Sequence, residues 1–176
     1  MTARPGAFEN TPLNWLDNGR TGTVISINTS NGGVPKKSVD DAQVSRLGLV
    51  GDAHNDVVGH GGPDRAVCIF PIELIRSLQR EGHPIDVGTS GENLTVQGID
   101  WDLVLPGVRI RCGDEVELEV VSYTNPCKTI RESFIEGEFK RISQKVNPGW
   151  SRVYARVLRE GKIRRGDPIR VIPSGV

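Results

Sequence analysis

The chain reads as a mainly β protein, an antiparallel β-barrel with a few peripheral helices, on three observations. Its 176 residues include 21 glycines and 11 prolines that cut the apolar runs into short pieces, as in strands joined by turns rather than in a helical bundle. In "EVELEVV", Val116, Leu118 and Val120 alternate with Glu115, Glu117 and Glu119, the period of two that marks a half-buried strand. The segments "GVRIRCGDEVEL" (107–118) and "GKIRRGDPIRV" (161–171) share one plan: a glycine, a basic-alternating strand, a Gly-Asp turn and a second strand. That plan predicts two similar hairpins. Sequential antiparallel strands can close into a barrel that leaves no edge unpaired.

Taken in order, the polar, turn-rich segment up to Arg20 predicts an arm, partly disordered, and residues 21–176 a single domain. A chain this long buries roughly 70% of its unfolded surface without disulfides. Besides the 115–121 stretch, strands are predicted near residues 23–28, 39–46, 65–70, 93–96, 108–111, 152–158 and 169–172. One helix opens at Pro71, which suits the first helical position. Ile72, Leu74, Ile75 and Leu78 form its apolar stripe and Gly82 its stop. A weaker helix is predicted from Lys128 to about Glu136.

Composition narrows the function. Twenty-two basic and 22 acidic residues cancel, so no overall field draws the protein to nucleic acid or to an anionic membrane, and any anion site is local. The first twenty residues lack the apolar region of a secretory signal, and no window approaches the ~20 apolar residues of a membrane span, which predicts a cytoplasmic protein. Cys68, Cys112 and Cys127 are an odd set without a Cys-x-x-Cys pair. This argues against a disulfide framework, a zinc ribbon or an iron–sulfur cluster. Redox chemistry would need electrons from elsewhere.

Three segments can carry chemistry. In "GDAHNDVVGHGGPDRAV" (51–67), Asp52, His54, Asp56, His60 and Asp64 are metal-ligand types. However, His54 and His60 stand six apart in a glycine-rich loop and His83 lies elsewhere, which is poor zinc or iron spacing and leaves a metal-dependent hydrolase as a minor reading. Gly61 and Gly62 can turn backbone amides toward an anion or lie against a planar ligand, with Arg65 as a charged fork. The same residues also suit a plain tight turn. In "SGENLTV" (90–96), Gly91, Glu92 and Asn93 offer the donors and acceptors of a heterocycle-binding loop, or a strand-entry turn. In "SYTNPCKTI" (122–130), Cys127 follows Pro126 at a strand end beside Lys128, a setting that raises the thiolate fraction and suits attack on an electrophile or binding of a soft metal. Cys68, in "AVCIF", reads as a small buried hydrophobe and Cys112 as incidental.

In this order and at these separations, "GLVGDAHND…GHGGPDRAV", "GENLT" and the strand-end "PC", followed by "NPGWSRVYARVL", resemble the MOSC family, named after the C-terminal domain of molybdenum cofactor sulfurase, and among it the small stand-alone members. The resemblance covers residues 22 to about 172. It implies a β-barrel that binds molybdenum cofactor, a pterin bearing a dithiolene and a terminal phosphate. It also implies Cys127 as the protein ligand to molybdenum, with His60, Gly61, Gly62, Asp64, Arg65, Gly91, Glu92 and Asn93 around the cofactor. In such a site His54, His60 or Asp64 can relay protons, His60 first among them because an imidazole titrates near neutrality. The Gly-Gly loop with Arg65 is then expected at the phosphate, and Glu92 with Asn93 at the pterin. No pyridoxal-phosphate domain, haem or iron–sulfur cluster is expected in the chain. Two functions follow. One is reduction of N-hydroxylated small molecules with electrons from a partner protein. The other is a sulfur or cofactor carrier that holds a persulfide on Cys127, supplied by a sulfur-donor protein.

Overall fold

The computed structural model describes residues 18–53 and 61–172. Most of the expected N-terminal arm, as well as His54, Asp56 and His60, lies outside the described residues. The strands are β1 (Thr21–Thr29), β2 (Lys37–Val39), β3 (Asp41–Ser45), β4 (Gly48–Leu49), β5 (Val67–Pro71), β6 (Leu94–Gln97), β7 (Arg109–Cys112), β8 (Val116–Tyr123), β9 (Val153–Arg159), β10 (Gly161–Arg164) and β11 (Pro168–Ile172), with one α-helix, α1 (Ile72–Arg80).

Seven strands run in the order β11-β7-β8-β9-β5-β6-β1, and β1 closes the ring on β11 through Thr21↔Arg170 and Gly22↔Ile169. Gly22 is required at this seam, because a Cβ there would stand 2.1 Å from the Gln97 carbonyl oxygen on the neighbouring strand. The barrel is mixed rather than wholly antiparallel: β5 and β6 pair in parallel, Ile69 against Leu94. A parallel pair needs a crossover, and α1 supplies it.

The alternation in β8 holds, with Val116, Leu118 and Val120 buried inside. Outside, Glu117 and Glu119 stand 3.6 Å from the Arg109 and Arg156 guanidinia across the neighbouring strands. Of the two expected hairpins only β7–β8 forms, with Cys112 opposite Val116. The second is corrected, because β10 pairs with β3 and β11 with β7 and β1. Between them the Gly-Asp turn is a corner stitched to β1. Gly166 N–H donates to the Val24 carbonyl at 2.7 Å, Val24 N–H donates to the Asp167 carbonyl at 2.9 Å, and the Asp167 carboxylate accepts from Arg164 N–H at 2.8 Å. Splitting the pair lets Ile163 and Ile169, both fully buried, enter the core from two different sheets. The expected 39–46 strand divides at Asp40 for the same reason, since β2 continues the barrel sheet from β1 while β3 joins β10 and β4.

Pro71 ends β5 in an extended conformation and caps α1 from outside. Ile72, Ile75 and Leu78 bury the predicted stripe. The second expected helix is replaced by 3-10 turns, Lys128–Ser133 and Ile135–Gly137, because Glu136 takes a left-handed φ of 54° that no continuous α-helix accepts. These turns, with Phe139–Ile142 after them, form a strap that packs Ile130, Phe134 and Ile142 on Phe70, Ile75 and Leu78. Three polar contacts pin the strap. Arg141 donates to both Glu81 oxygens at 2.6 and 2.9 Å, its guanidinium lies 3.7 Å over the Trp150 ring, and His83 Nδ1 accepts from Ile135 N–H at 3.1 Å. Arg141 also holds the Glu81 carboxyl below its usual range. The strap begins directly after Cys127, so this second core fixes where that thiol stands.

Candidate functional site

Loops at one end of the barrel enclose a cavity of about 140 Å³. Four parts of the chain build it: Gly33 to Lys36 after β1, Ser90 to Asn93 before β6, Cys127 to Ile130 at the head of the strap, and Arg152 with Tyr154 at the start of β9. Ala53, Arg65 and Cys68 complete the lining. Its cations are Lys36, Arg65 and Arg152, and among the described lining residues there is no carboxylate.

The half-buried Cys127 thiol sits 2.8 Å from Thr129 Oγ1, which orients it at the head of the strap. Arg65 reaches the cavity from the Gly-Gly-Pro-Asp-Arg loop, its guanidinium 5.9 Å from the centre of the Tyr154 ring, within cation–π range. Burial pushes the Tyr154 hydroxyl up to about 12, so it keeps its proton at neutral pH. Burial likewise raises the Cys68 thiol, whose sulfur lies 4.0 Å from Thr124 Oγ1.

Behind the wall a polar network replaces solvent. The Asp52 carboxylate accepts from Lys36 Nζ at 2.5 and 2.7 Å, from Ser30 N–H at 2.9 Å and from Asn93 Nδ2 at 2.8 Å. Asn93 Oδ1 accepts from the Cys68 N–H at 3.0 Å, so this amide joins β5 to the loop before β6. Glu92 is fully buried, and its oxygens accept from Ser90 Oγ at 2.6 Å, Gly88 N–H at 2.7 Å and Thr95 Oγ1 at 3.1 Å.

The structure therefore brings together Arg65, Gly91, Asn93 and Cys127 from three separated motifs. Glu92 turns away from the cavity, because a buried carboxylate needs donors and the loop's own backbone and hydroxyls provide them. Asn93 lines the cavity but gives both amide ends to the protein. Asp64 is exposed and pairs with Arg156 at 3.3 Å, outside the lining. Gly61 and Gly62, at φ 118° and 81°, form the turn that starts the 3-10 segment Pro63–Arg65 and do not line the cavity. Among the described residues no three histidine, cysteine or acidic side chains converge as a metal cluster.

Glu92 gives a pH prediction. Burial raises its carboxyl, against the opposing pull of the Ser90 and Gly88 hydrogen bonds and the Arg152 charge. A folded pKa above the unfolded value of about 4.3 means that its contribution is full below that value and is lost as pH rises through the folded pKa. Wild type should therefore lose stability relative to Glu92→Gln as pH rises from about 4, read from urea unfolding of both proteins at each pH. A stability difference that stays constant over this window refutes the assignment.

Residues 56–170 match the MOSC domain family. The chain belongs to that family. It is 31% identical over 145 residues to YflK of Bacillus subtilis, covering 81% of this chain and 64% of the relative, and 28% identical over 145 residues to YiiM of Escherichia coli, covering 79% and 63%. A Gibberella moniliformis protein named reductase is 33% identical over 133 residues, 73% of this chain and 23% of the relative. The chain thus spans less than two thirds of these relatives' lengths. The crystal structure of YiiM from Geobacillus stearothermophilus superposes with a TM-score of 0.69 at 28% identity, covering 88% of this chain and 77% of that one. The barrel is the MOSC fold, and the family is associated with molybdenum cofactor. Among the described residues no helix is long and apolar enough to cross a membrane.

Sequence reasoning missed Lys36, Ser90 and Tyr154 in this MOSC cavity, and charge alone does not rank the basic residues Arg46, Lys128, Arg131 and Arg152 as partners for an anion. Of those four only Arg152 lines the cavity. A signal was present at β9, where Arg152 and Tyr154 alternate with the inward-facing Val153 and Ala155 at the strand's entry. Lys36 carried no comparable mark, because its carboxylate partner is 16 residues away.

Proposed function

We propose that the cavity binds molybdenum cofactor with Cys127 as its protein sulfur ligand, and that the chain reduces N-hydroxylated small molecules with electrons from a partner protein. The observation that carries this reading is the single cavity that gathers the Cys127 thiol and the cations Lys36, Arg65 and Arg152 without a lining carboxylate among the described residues. The residues suit the group: a molybdenum already held by sulfur favours a further thiolate, and an anionic cofactor fits a cationic wall. Arg152 strengthens the fit, because its side chain is buried and its Nε has no hydrogen-bond partner among the described residues. When bound, the cofactor supplies a two-electron centre for removing oxygen from an N–O bond.

The chain's residues bind and orient. Thr129 positions the Cys127 sulfur, Arg65 with Tyr154 provides a flat cationic shelf for a planar substrate, and the Tyr154 hydroxyl remains a proton donor at neutral pH. Asn93 and Asp52 hold the wall rigid from behind. A relative named reductase supports the reaction class. The test is elemental analysis of protein made in a strain competent for cofactor synthesis, followed by an assay of N-hydroxylaminopurine reduction with an artificial electron donor. Stoichiometric molybdenum and turnover are expected. Labile sulfane sulfur on Cys127 without molybdenum would instead identify a sulfur carrier fed by a donor protein, and stoichiometric zinc would identify a hydrolase.

A further inference from the structure

We infer that the corner of the cavity formed by Lys36, Ser90, Gly91 and Arg152 is a phosphate-monoester site, with Arg152 as the group that grips the anion. This deepens the cofactor reading by giving the cofactor's terminal phosphate a place, yet it stands on its own geometry.

Arg152 is 6% exposed. Its Nη1 donates to the Ser90 carbonyl, its Nε has no partner, and it forms no ion pair among the described residues. A buried guanidinium without an anion is costly, and a fold that keeps one at a cavity wall has a use for its unspent donors. Glu92, whose carboxyl feels the Arg152 charge, does not discharge it, since its oxygens accept from Gly88, Ser90 and Thr95 and burial favours the neutral carboxyl. Lys36 adds a second cation, held rigidly by Asp52.

Glycine at position 91 keeps the space beside the guanidinium open. At its φ of 86° a Cβ would lie 3.2 Å from Val34 Cγ1 and 3.9 Å from Arg152 Nη1. A tetrahedral dianion suits this corner better than a planar carboxylate, because its oxygens can meet the Arg152 guanidinium and the Lys36 ammonium from different directions, while the Ser90 hydroxyl is already spent on Glu92. The Gly61–Gly62 turn, which the sequence offered for this role, does not line the cavity.

The test uses the full chain purified without cofactor. Inorganic phosphate is titrated against chloride at matched ionic strength, read by melting temperature and by 31P line broadening. The expected result is a saturable, phosphate-specific rise in melting temperature and an affinity about tenfold or more weaker in Arg152→Gln, the loss of one charge-assisted bond. Arg152→Lys, which keeps the charge without the fork, should fall between. Absence of a phosphate-specific effect in wild type, or an Arg152→Gln titration equal to wild type, overturns the assignment. If Arg152→Gln does not fold, wild-type broadening that persists in Arg65→Gln supports the corner, and broadening abolished in Arg65→Gln overturns it.

Two further ligands separate the sources of the phosphate. A phosphorylated pterin binding more tightly than a nucleoside 5′-monophosphate favours the cofactor, and the reverse order a nucleotide substrate. Stoichiometric molybdenum with an unchanged Arg152→Gln phosphate titration refutes this site alone. Phosphate binding through Arg152 in protein that never acquires molybdenum refutes the cofactor reading alone.

Discussion

Cys127→Ser should lower reduction of N-hydroxylated substrate by more than about 100-fold, since even the groups that merely support a metal ligand cost 10–100-fold when removed. The melting temperature should hardly change. Cys127 is half-buried at the head of the strap, and the strap is anchored by Ile130, Phe134 and Ile142 and by the Arg141–Glu81 pair rather than by the thiol. The comparison is Cys68→Ser. That sulfur also lines the cavity, but it is buried on β5 and burial keeps it protonated, so the substitution should disturb packing while molybdenum and most of the activity remain. Turnover by Cys127→Ser at the wild-type rate would remove Cys127 from its proposed role. The opposite ranking of the two variants would move the ligand to Cys68.

Asp52→Ala should be the most damaging single change behind the cavity. The carboxylate is 1% exposed and serves Lys36, Ser30 and Asn93 at once, and Lys36 is itself 7% exposed. Removing one member of a buried ion pair strands the other charge and costs about 3–5 kcal/mol. For a domain of this size that lowers the melting temperature by about 6–20 °C. The double variant Lys36→Met, Asp52→Ala should recover part of the loss, because no lone charge is then left inside. A double variant no more stable than Asp52→Ala alone would mean that the bonds from the Ser30 N–H and the Asn93 side-chain amide, not the ion pair, hold the wall together.

The barrel was legible because its strands carry their own pattern, and Val116, Leu118 and Val120 alternate as any half-buried strand must. Long-range pairing was not legible. The segments 107–118 and 161–171 look alike locally, yet one folds on itself while the other sends β10 and β11 to different sheets, a choice made by partners far along the chain. Arg65, Gly91, Asn93 and Cys127, singled out in the sequence for the unusual residues around them, line one cavity. Glu92 was assigned to the ligand because composition does not show which way a side chain turns. Only the fold reveals that the Gly88 amide and the Ser90 and Thr95 hydroxyls already occupy its carboxylate. Lys36 enters the cavity through tertiary contacts and left no local trace, whereas Tyr154 was marked only by its place in the alternation of β9.

The seam between β1 and β11 has a consequence for biosynthesis. Ring closure joins the earliest strand of the barrel to the latest, Thr21 to Arg170, so the nascent chain cannot complete its cylinder until β11 has left the ribosome. Until then β1 and β7 present open backbone to any neighbouring polypeptide. Translation speed and chaperone supply, more than the stability of the finished molecule, would then set how much soluble protein a cell obtains.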